Sequence, residues 1–507
     1  MHQNESASFS ASELGWVLHF QLRFTVRSLA SICFLSTLSI FPPLSIAAEG
    51  NLYDGGEIYE SHCMRCHGVN LGGGYAKSLV DGIWQFGKNS WNIRQSIRFG
   101  ITDLGMPPFE NILSREEIGA VVDFLRAKEE AAGVERPHPH PTLYTQNYKL
   151  KVEILTEELE IPWSVDFIDS ERLIVTEKPG TLRIFHGAKL LPDAVAGTPA
   201  VLYWGQGGLM DVAVDPEYSE NGWIYLSYTH QLRDIQMDQT SPLSMTRIVR
   251  GRLHQNVWKD EEVLYEAPHD SYTTGRVHYG SRIVFDPEGH LYFSVGDRGE
   301  PEQAQELDRP NGKVHRIQRD GGIPLDNPFV HLKGALPSIY SYGHRNPQGL
   351  AIHPETGRVW NTEHGPLGGD ELNVICPGCN YGWPDISYGR NYDGTIITEN
   401  TSRPEMEQPV IYWSPSIAVC GLDFYRGDLF PKWNGKLLAG ALKYEEIQLL
   451  TIENDRVMHR EVIFKNLGRV RDVAIGPDGA IYVVLNGPDV LLRLTPDTPI
   501  PEGHFPD

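Results

Sequence analysis

One short pattern recurs six times through the last two-thirds of the chain and leaves few architectures open. It is an apolar residue, a variable residue and a second apolar residue: Val165-Asp166-Phe167, Val212-Ala213-Val214, Ile283-Val284-Phe285, Leu350-Ala351-Ile352, Leu422-Asp423-Phe424 and Val473-Ala474-Ile475. Such alternation marks a strand. Several copies run into a proline turn, at Asp215-Pro216, Asp286-Pro287, His353-Pro354 and Gly476-Pro477, and then into a second strand such as Leu291-Tyr292-Phe293. The spacing, roughly 50–70 residues, is that of one four-stranded unit with insertions. These units predict an all-β six-bladed β-propeller over residues 148–497. Stacked β-sandwiches would not explain the recurrence. The 50 glycines and 35 prolines suit short strands joined by turns. A chain of 507 residues exceeds one ordinary domain, and what precedes the propeller has a different character.

Residues 49–132 read as a small all-α domain. Cys63-Met64-Arg65-Cys66-His67 is a C-x-x-C-H haem-attachment motif. Its spacing lets two thiols add across the haem vinyl groups and places a histidine beside them for the iron. Met106, within Leu104-Gly105-Met106-Pro107-Pro108, is the candidate sixth ligand, and a thioether there raises the reduction potential. The cysteine pair taken alone also suits a redox disulfide or half of a zinc site, and Met106 alone suits a core. Behind it, Ser114-Arg115-Glu116-Glu117 is a capping box. Ile118, Val121, Val122 and Leu125 follow at helical spacing. Over its whole length this segment resembles the class I cytochrome c family. The resemblance implies haem c held covalently by Cys63 and Cys66, with the iron between His67 and Met106.

The flanks complete the domain plan. Arg23 and Arg27 precede an apolar run, Leu29 to Ala47, that ends on small residues. That is the layout of a secretory signal peptide over residues 1–48 and predicts a periplasmic protein. The run also approaches the length of a membrane anchor, although Pro42 and Pro43 favour cleavage. Arg136-Pro137-His138-Pro139-His140-Pro141 holds neither helix nor ladder, so residues 133–147 are predicted to be a stiff linker. Residues 498–507 form a tail. The formal charge of −22 argues against nucleic acid and an anionic membrane surface as partners. Clustered cations therefore stand out.

In a propeller, the residues entering each blade's first strand ring the top of the central channel. Those positions hold Gln206 before Gly207-Gly208, His278, the pair Arg345-Asn346, Ser416, and Arg469 with Arg471; Lys443 joins from a strand end in the fifth blade. Four cations and a histidine in an acidic protein fit a flat polyanionic ligand. The turn-rich, oxygen-rich stretch from His364 to Glu371 suits a divalent cation beside that anion.

From residue 161 to 496 the chain resembles the soluble quinoprotein aldose (glucose/sorbosone) dehydrogenase family. The resemblance is carried by GQGGLMDVAVDP, HYGSRIVFDP, GDRG, YGHRNPQGL, EHGPLGGDELN, NYGWP, WSPSIA and GRVRDV, which span all six blades. It implies pyrroloquinoline quinone (PQQ), whose three carboxylates account for the cations, and Ca²⁺ bound at the quinone. It further implies that His278 is the general base for the sugar C1 hydroxyl, with hydride passing from C1 to the quinone. An imidazole with an ordinary pKa near 6.5 is largely free base at neutral pH. Asp297 would orient that imidazole, Gln206 would fix the substrate, and Arg345 would face the quinone oxygen that gains charge. Asn346, Ser416, Lys443, Arg469 and Arg471 would hold the cofactor. Gly365 and Pro366 match carbonyl ligands of the calcium at the quinone, and Glu371 and Tyr381 match a second, structural calcium.

Two departures from the family pattern are visible. Ala418-Val419-Cys420-Gly421 stands where the family has Ala-Pro-Ser-Gly, which alters the local pocket wall. Cys376-Pro377-Gly378-Cys379 is additional, and in an oxidising compartment a short-loop disulfide is expected, leaving Cys420 unpaired. The implied function is a quinohaemoprotein that oxidises an aldose at C1 to the lactone. Its electrons pass to the haem and then to an external acceptor, a soluble cytochrome or a respiratory-chain component. The alternatives are a quinoprotein acting on another alcohol or a sorbosone-type aldehyde, and a non-catalytic docking propeller that carries a cytochrome.

Overall fold

The structure is a computed structural model, and it describes residues 53–82, 84, 90–101, 106–133, 142–232 and 241–499. The signal-peptide reading (1–48) and residues 134–141 of the expected linker lie outside these. Among the described residues no helix is long and apolar enough to cross a membrane.

Six antiparallel sheets follow one another along the chain, five of them built of consecutive strands. We number the blades I to VI. The six apolar-x-apolar patterns all fall in the first strand of a blade: Pro162–Phe167, Leu209–Val214, Ile283–Phe285, Pro347–Ile352, Val419–Phe424 and Arg469–Ile475. These strands adjoin one another around the axis. Most of their residues are buried on both faces, which is why they read as apolar at both alternating positions. Large side chains fill the wedge between neighbouring blades. Trp360 of blade IV meets Phe424 of blade V edge-on at 5.8 Å, and both are fully buried. Each such side chain contributes about 1.5–3 kcal/mol through burial.

The ring closes through its amino-terminal end. Tyr148–Thr156 pairs with Val490–Pro499, so blade VI is made from both ends of the domain. One boundary differs from expectation. Thr142–Tyr144 lies within the predicted linker yet pairs with residues 149–151 as a fifth, outermost strand of blade VI. The prolines that forbid a ladder stop at Pro141, and Thr142, Leu143 and Tyr144 have the N–H groups that a ladder needs. The last strand likewise runs to Pro499, past the expected start of the tail.

Carboxylates tie the blades together in a way the apolar pattern does not reveal. Asp166 accepts the Val214 N–H at 2.7 Å, Asp211 that of Ile283 at 2.7 Å, and Asp370 that of Val419 at 3.1 Å. Asp423 accepts from Ile475 at 3.0 Å, and Asp472 from Val165 at 3.2 Å, across the ring closure. Each joins one blade to the next. Burial pushes Asp166 up to about 7, and Asp211 and Asp423 up to about 6. At the channel's centre Arg282 offsets part of this charge. Its Nη1 lies 3.1 Å from Asp211 and 2.9 Å from Asp472, and Nε donates to the Gln348 carbonyl at 2.8 Å. Arg282→Ala would leave two buried carboxylates unpaired and is expected to cost about 3–5 kcal/mol of stability. Chemical denaturation measures it, and an unchanged midpoint would show that the channel cation is dispensable.

The haem-motif region is helical: α1 (Gly55–His62), α2 (Met64–His67), α3 (Ser90–Phe99) and α4 (Arg115–Ala132). Asp54 caps α1, and the predicted capping box closes α4: Ser114 Oγ accepts from Glu117 N, and a Glu117 carboxylate oxygen accepts from Ser114 N. Helices α1 and α4 cross closely. A Cβ on Gly55 would stand 2.1 Å from the Ala120 carbonyl oxygen, so only glycine permits the crossing. Ile93 and Ile97 of α3 pack with Val121, Val122 and Leu125 of α4 in one core, against which Cys63, Met64 and Met106 are partly buried.

Candidate active site

Two places concentrate chemistry, one in each domain. In the helical domain Cys63 and Cys66 are unpaired thiols at either end of one helical turn. Burial, followed by the neighbouring Cys66, pushes Cys63 up to about 11, so it remains a protonated thiol. His67 places its Nδ1 3.1 Å from the Lys77 carbonyl, which leaves Nε2 as the nitrogen for a metal. Met106 faces the same core through an isolated bridge to Ile101. A thiol and a thioether on one apolar core, with a second, exposed thiol and a pre-oriented imidazole one turn on, fit a covalently bound haem.

The second place is a cavity of about 360 Å³ at the mouth of the propeller channel. The first-strand entries meet there as expected. Of the predicted residues, Gln206, Asn346, Gly365, Pro366, Ser416, Lys443, Arg469 and Arg471 line it. His278, Asp297 and Arg345 stand directly behind the wall. The His278 N–H donates to the Gln206 side chain at 2.8 Å, and its Nδ1 lies 2.6 Å from Asp297 Oδ1. Asp297 also accepts from Gly299 N at 2.8 Å and, through Oδ2, from Trp383 Nε1 at 2.8 Å. Three donors thus hold one carboxylate, and Nε2 is the imidazole nitrogen left for a substrate. His278 adopts φ +54°, an unusual backbone for a residue with a side chain, and the surrounding bonds hold it there.

Charge follows from this packing. Burial, and then the Arg345 guanidinium, hold His278 below its ordinary value; the Asp297 hydrogen bond works against them. For Asp297 burial acts upward, but the His278 hydrogen bond and the His278 and Arg345 charges outweigh it and hold the carboxyl low. The resulting pair is a neutral imidazole on an ionised carboxylate.

The cavity carries more positive charge than the sequence suggested. Lys178, from the end of blade I's second strand, joins Lys443, Arg469 and Arg471 on its wall. Burial, followed by Arg471 and Arg469, pulls Lys178 down to about 8, and burial with Arg471 also lowers Arg469. Among the described residues no aspartate or glutamate lines the cavity. Gathering cations in a half-buried space without counter-charge is costly unless an anion completes it. Trp163, Tyr279 and Gln348 line it too, all missed in the sequence because strand or motif position does not say which side chain turns into the cavity. His364, which the sequence marked only as the start of the oxygen-rich stretch, lines the cavity with a buried Nε2 that has no partner, and Arg345 Nε is buried and unpartnered as well. Buried polar atoms of this kind are completed by a ligand or water. A flat polyanion fits.

Calcium fits less simply. The Gly365 carbonyl accepts from Arg345 Nη1 at 2.9 Å, and the His364 carbonyl accepts from the same atom at 3.0 Å. A cation already occupies that carbonyl pair. The Gly365 turn itself is tight: a Cβ there would stand 2.2 Å from the Gly369 carbonyl oxygen. The chain alone therefore offers too few free oxygens at Gly365-Pro366 for a calcium ion. At the second expected calcium position the Tyr381 hydroxyl is committed, donating to the Val374 carbonyl at 2.6 Å and accepting from Cys376 N at 3.1 Å. Glu371 instead lies against Glu363, and burial with this mutual repulsion raises Glu371 well above the usual carboxylate range. His344 is structural: its ring bridges Glu363 at 3.0 Å and Ser341 at 2.8 Å and stacks on Tyr381.

The added cysteines form the expected Cys376–Cys379 disulfide. Among the described residues the one cluster of close metal-ligating atoms is this pair with Glu407, and the bond removes both thiols. Cys420 is free and buried, with Arg471 Nη1 3.6 Å from its sulfur, so the departure from the family pattern sits behind a wall cation.

Comparison with known proteins agrees with this geometry. The Glucose / Sorbosone dehydrogenase family profile matches residues 159–493. The profile of Cytochrome C oxidase, cbb3-type, subunit III matches residues 50–125. Aldose sugar dehydrogenase YliI of Escherichia coli (strain K12) is 38% identical over 355 residues, covering 68% of this chain and 93% of that protein. Quinoprotein glucose dehydrogenase B of Acinetobacter calcoaceticus is 33% identical over 246 residues, covering 44% and 48%. The crystal structure of the soluble Aldose sugar dehydrogenase from Escherichia coli in the apo-form superposes with a TM-score of 0.64 at 36% identity, covering 68% of this chain and 99% of that one. With a cytochrome c domain ahead of its six-bladed propeller, the chain belongs to the glucose/sorbosone dehydrogenase family.

Proposed function

We propose that the protein is an exported, PQQ-dependent aldose dehydrogenase that oxidises the sugar C1 hydroxyl to the lactone and hands the electrons to its own haem c. The observation that carries this reading is the His278–Asp297 pair, 2.6 Å apart, set behind a cavity ringed by cations and, among the described residues, lined by no carboxylate. The names of the relatives, aldose sugar dehydrogenase and quinoprotein glucose dehydrogenase, support the same substrate and cofactor class.

The chain's own residues divide the work. Lys178, Lys443, Arg469 and Arg471 neutralise the cofactor's carboxylates, with Asn346 and Ser416 as polar contacts. When bound, PQQ supplies a carbonyl that accepts hydride. His278 Nε2 takes the proton of the C1 hydroxyl, and Asp297 stabilises the imidazolium that results. Gln206 links the two tasks, since it lines the cavity while holding the His278 backbone. Arg345 stands just behind the wall with a buried, unpartnered Nε, and its guanidinium is the charge that would meet negative charge developing in the cavity. Cys63 and Cys66 attach the haem, and His67 and Met106 hold its iron. The acceptor beyond the haem is a soluble cytochrome or a respiratory component, consistent with a periplasmic location.

Reconstitution of the apo-protein with PQQ, followed by a panel of aldoses with the haem spectrum monitored, tests the whole reading. Sugar-dependent haem reduction is expected. Failure to bind quinone would remove the enzyme reading, and dye-coupled oxidation without haem reduction would remove only the internal transfer. Two further outcomes follow from the geometry. Because burial and Arg345 lower His278, the protonated, inactive base accumulates only below its ordinary pKa. The acid limb of kcat/KM should therefore have its midpoint below about 6.5. A midpoint above that value would contradict the assignment. Calcium at Gly365-Pro366 should depend on the quinone's oxygens, so calorimetry should detect it there only when PQQ is present.

A further inference from the structure

One side of the cavity is not built by the propeller. Trp91, from α3 of the cytochrome domain, lines it together with Tyr392 from a long blade IV insertion. Both rings are about half exposed, and they meet edge-on with centroids 5.7 Å apart. The contact is anchored on both sides. Arg98 of α3 donates to the Asp393 carbonyl. Gly394 leaves room for the Phe99 ring, which a Cβ there would meet at 2.8 Å, and its φ of +92° also favours glycine. The insertion is bonded back to the cavity rim, with Leu367 and Arg390 exchanging N–H···O bonds of 3.0 and 3.2 Å. Leu367 directly follows the Gly365-Pro366 turn.

We propose that Trp91 and Tyr392 form the outer wall of the sugar subsite, so that the cytochrome domain limits how long a saccharide the propeller can oxidise. This rests on the sugar-oxidising function above. The volume argues for it: about 360 Å³ is near the lower end of the roughly 300–1,000 Å³ typical of ligand cavities. A fused-ring cofactor among the cations would take much of that space and set a sugar toward the Trp91–Tyr392 side. Any further ring must leave past the Trp91–Tyr392 edge. The chemistry also fits, because exposed aromatic faces offer apolar, rigid surface to the C–H face of a sugar at little entropic cost. Helix α3 is suited to the task, since its other face, Ile93 and Ile97, is locked into the haem-domain core.

The test uses the full chain loaded with haem and PQQ, with a dye as electron acceptor. It compares kcat/KM for a monosaccharide with that for a linear trisaccharide of the same unit. Wild type should prefer the monosaccharide. Trp91→Ala and Tyr392→Ala should each lower that preference by about tenfold, as expected for one lost wall contact, and the change should lie in KM rather than kcat. Calorimetry on protein with pre-reduced quinone, where no turnover occurs, should show the same shift in relative sugar affinity. An unchanged haem spectrum confirms that the half-exposed substitutions leave the domain folded. An active wild type whose preference is unmoved in both variants overturns the wall alone. A wild type inert to every sugar overturns the functional reading and the wall with it.

Discussion

His278→Ala is expected to lower kcat by about 10²–10⁴-fold while the protein still binds quinone. The geometry separates these two properties. His278 stands behind the cavity wall, held by Gln206 at its backbone and Asp297 at Nδ1, whereas the cations that would hold the cofactor come from other blades. Removing the imidazole takes away the proton acceptor but leaves Lys178, Lys443, Arg469 and Arg471 in place. Asp297→Asn should follow the same direction by a different route. An amide cannot stabilise the imidazolium and can present an N–H to Nδ1, which turns the ring to the wrong tautomer. Steady-state rates with a dye acceptor, beside quinone titrations, provide the check. Normal turnover in His278→Ala would place the base elsewhere, and lost quinone binding would make His278 a cofactor ligand instead.

Replacing Cys63 and Cys66 together with serine should abolish covalent haem altogether. Both thiols are unpaired and lie one helical turn apart, next to His67. Burial pushes Cys63 up to about 11, so Cys63 persists as a thiol. Serine hydroxyls do not add to the vinyl groups. The expected result is a polypeptide with no haem after denaturing electrophoresis, no sugar-dependent haem reduction, and dye-coupled sugar oxidation that persists in the propeller. Haem stain retained on the denatured double variant would show attachment elsewhere. Loss of dye-coupled oxidation as well would show that the propeller depends on the haem domain for more than electron removal. That second outcome is meaningful here because α3 contributes Trp91 to the cavity.

The propeller was legible because its first strands are buried on both faces, and burial writes itself into residue type at every second position. The haem-domain helix α4 was legible for a similar reason: its cap and its apolar stripe are both local in sequence. Contacts between distant segments were not. The strand Thr142–Tyr144 has three residues and no pattern of its own, and only its pairing with residues 149–151 makes it a strand. The inter-blade aspartates look like ordinary polar positions until Asp472 is seen to accept from Val165, at the other end of the domain.

The candidate site divides in the same way. Residues that enter first strands, such as Gln206, Asn346 and Arg469, were placed correctly because the repeat assigns them to one end of the channel. Lys178 and Gln348 were missed because strand position does not say which side chain turns into the cavity. By itself the sequence determined six blades, a C-x-x-C-H helix and a set of cations at one end of a channel, since each follows from local spacing and side-chain type. The tertiary structure alone decided which cations face each other, that Arg345 occupies the Gly365 carbonyl, and that a helix of the cytochrome domain walls the propeller's cavity. The physical reason is that charge, hydrogen bonding and packing act over a few ångströms, and chain folding brings those ångströms together from residues as far apart in sequence as Trp91 and Tyr392.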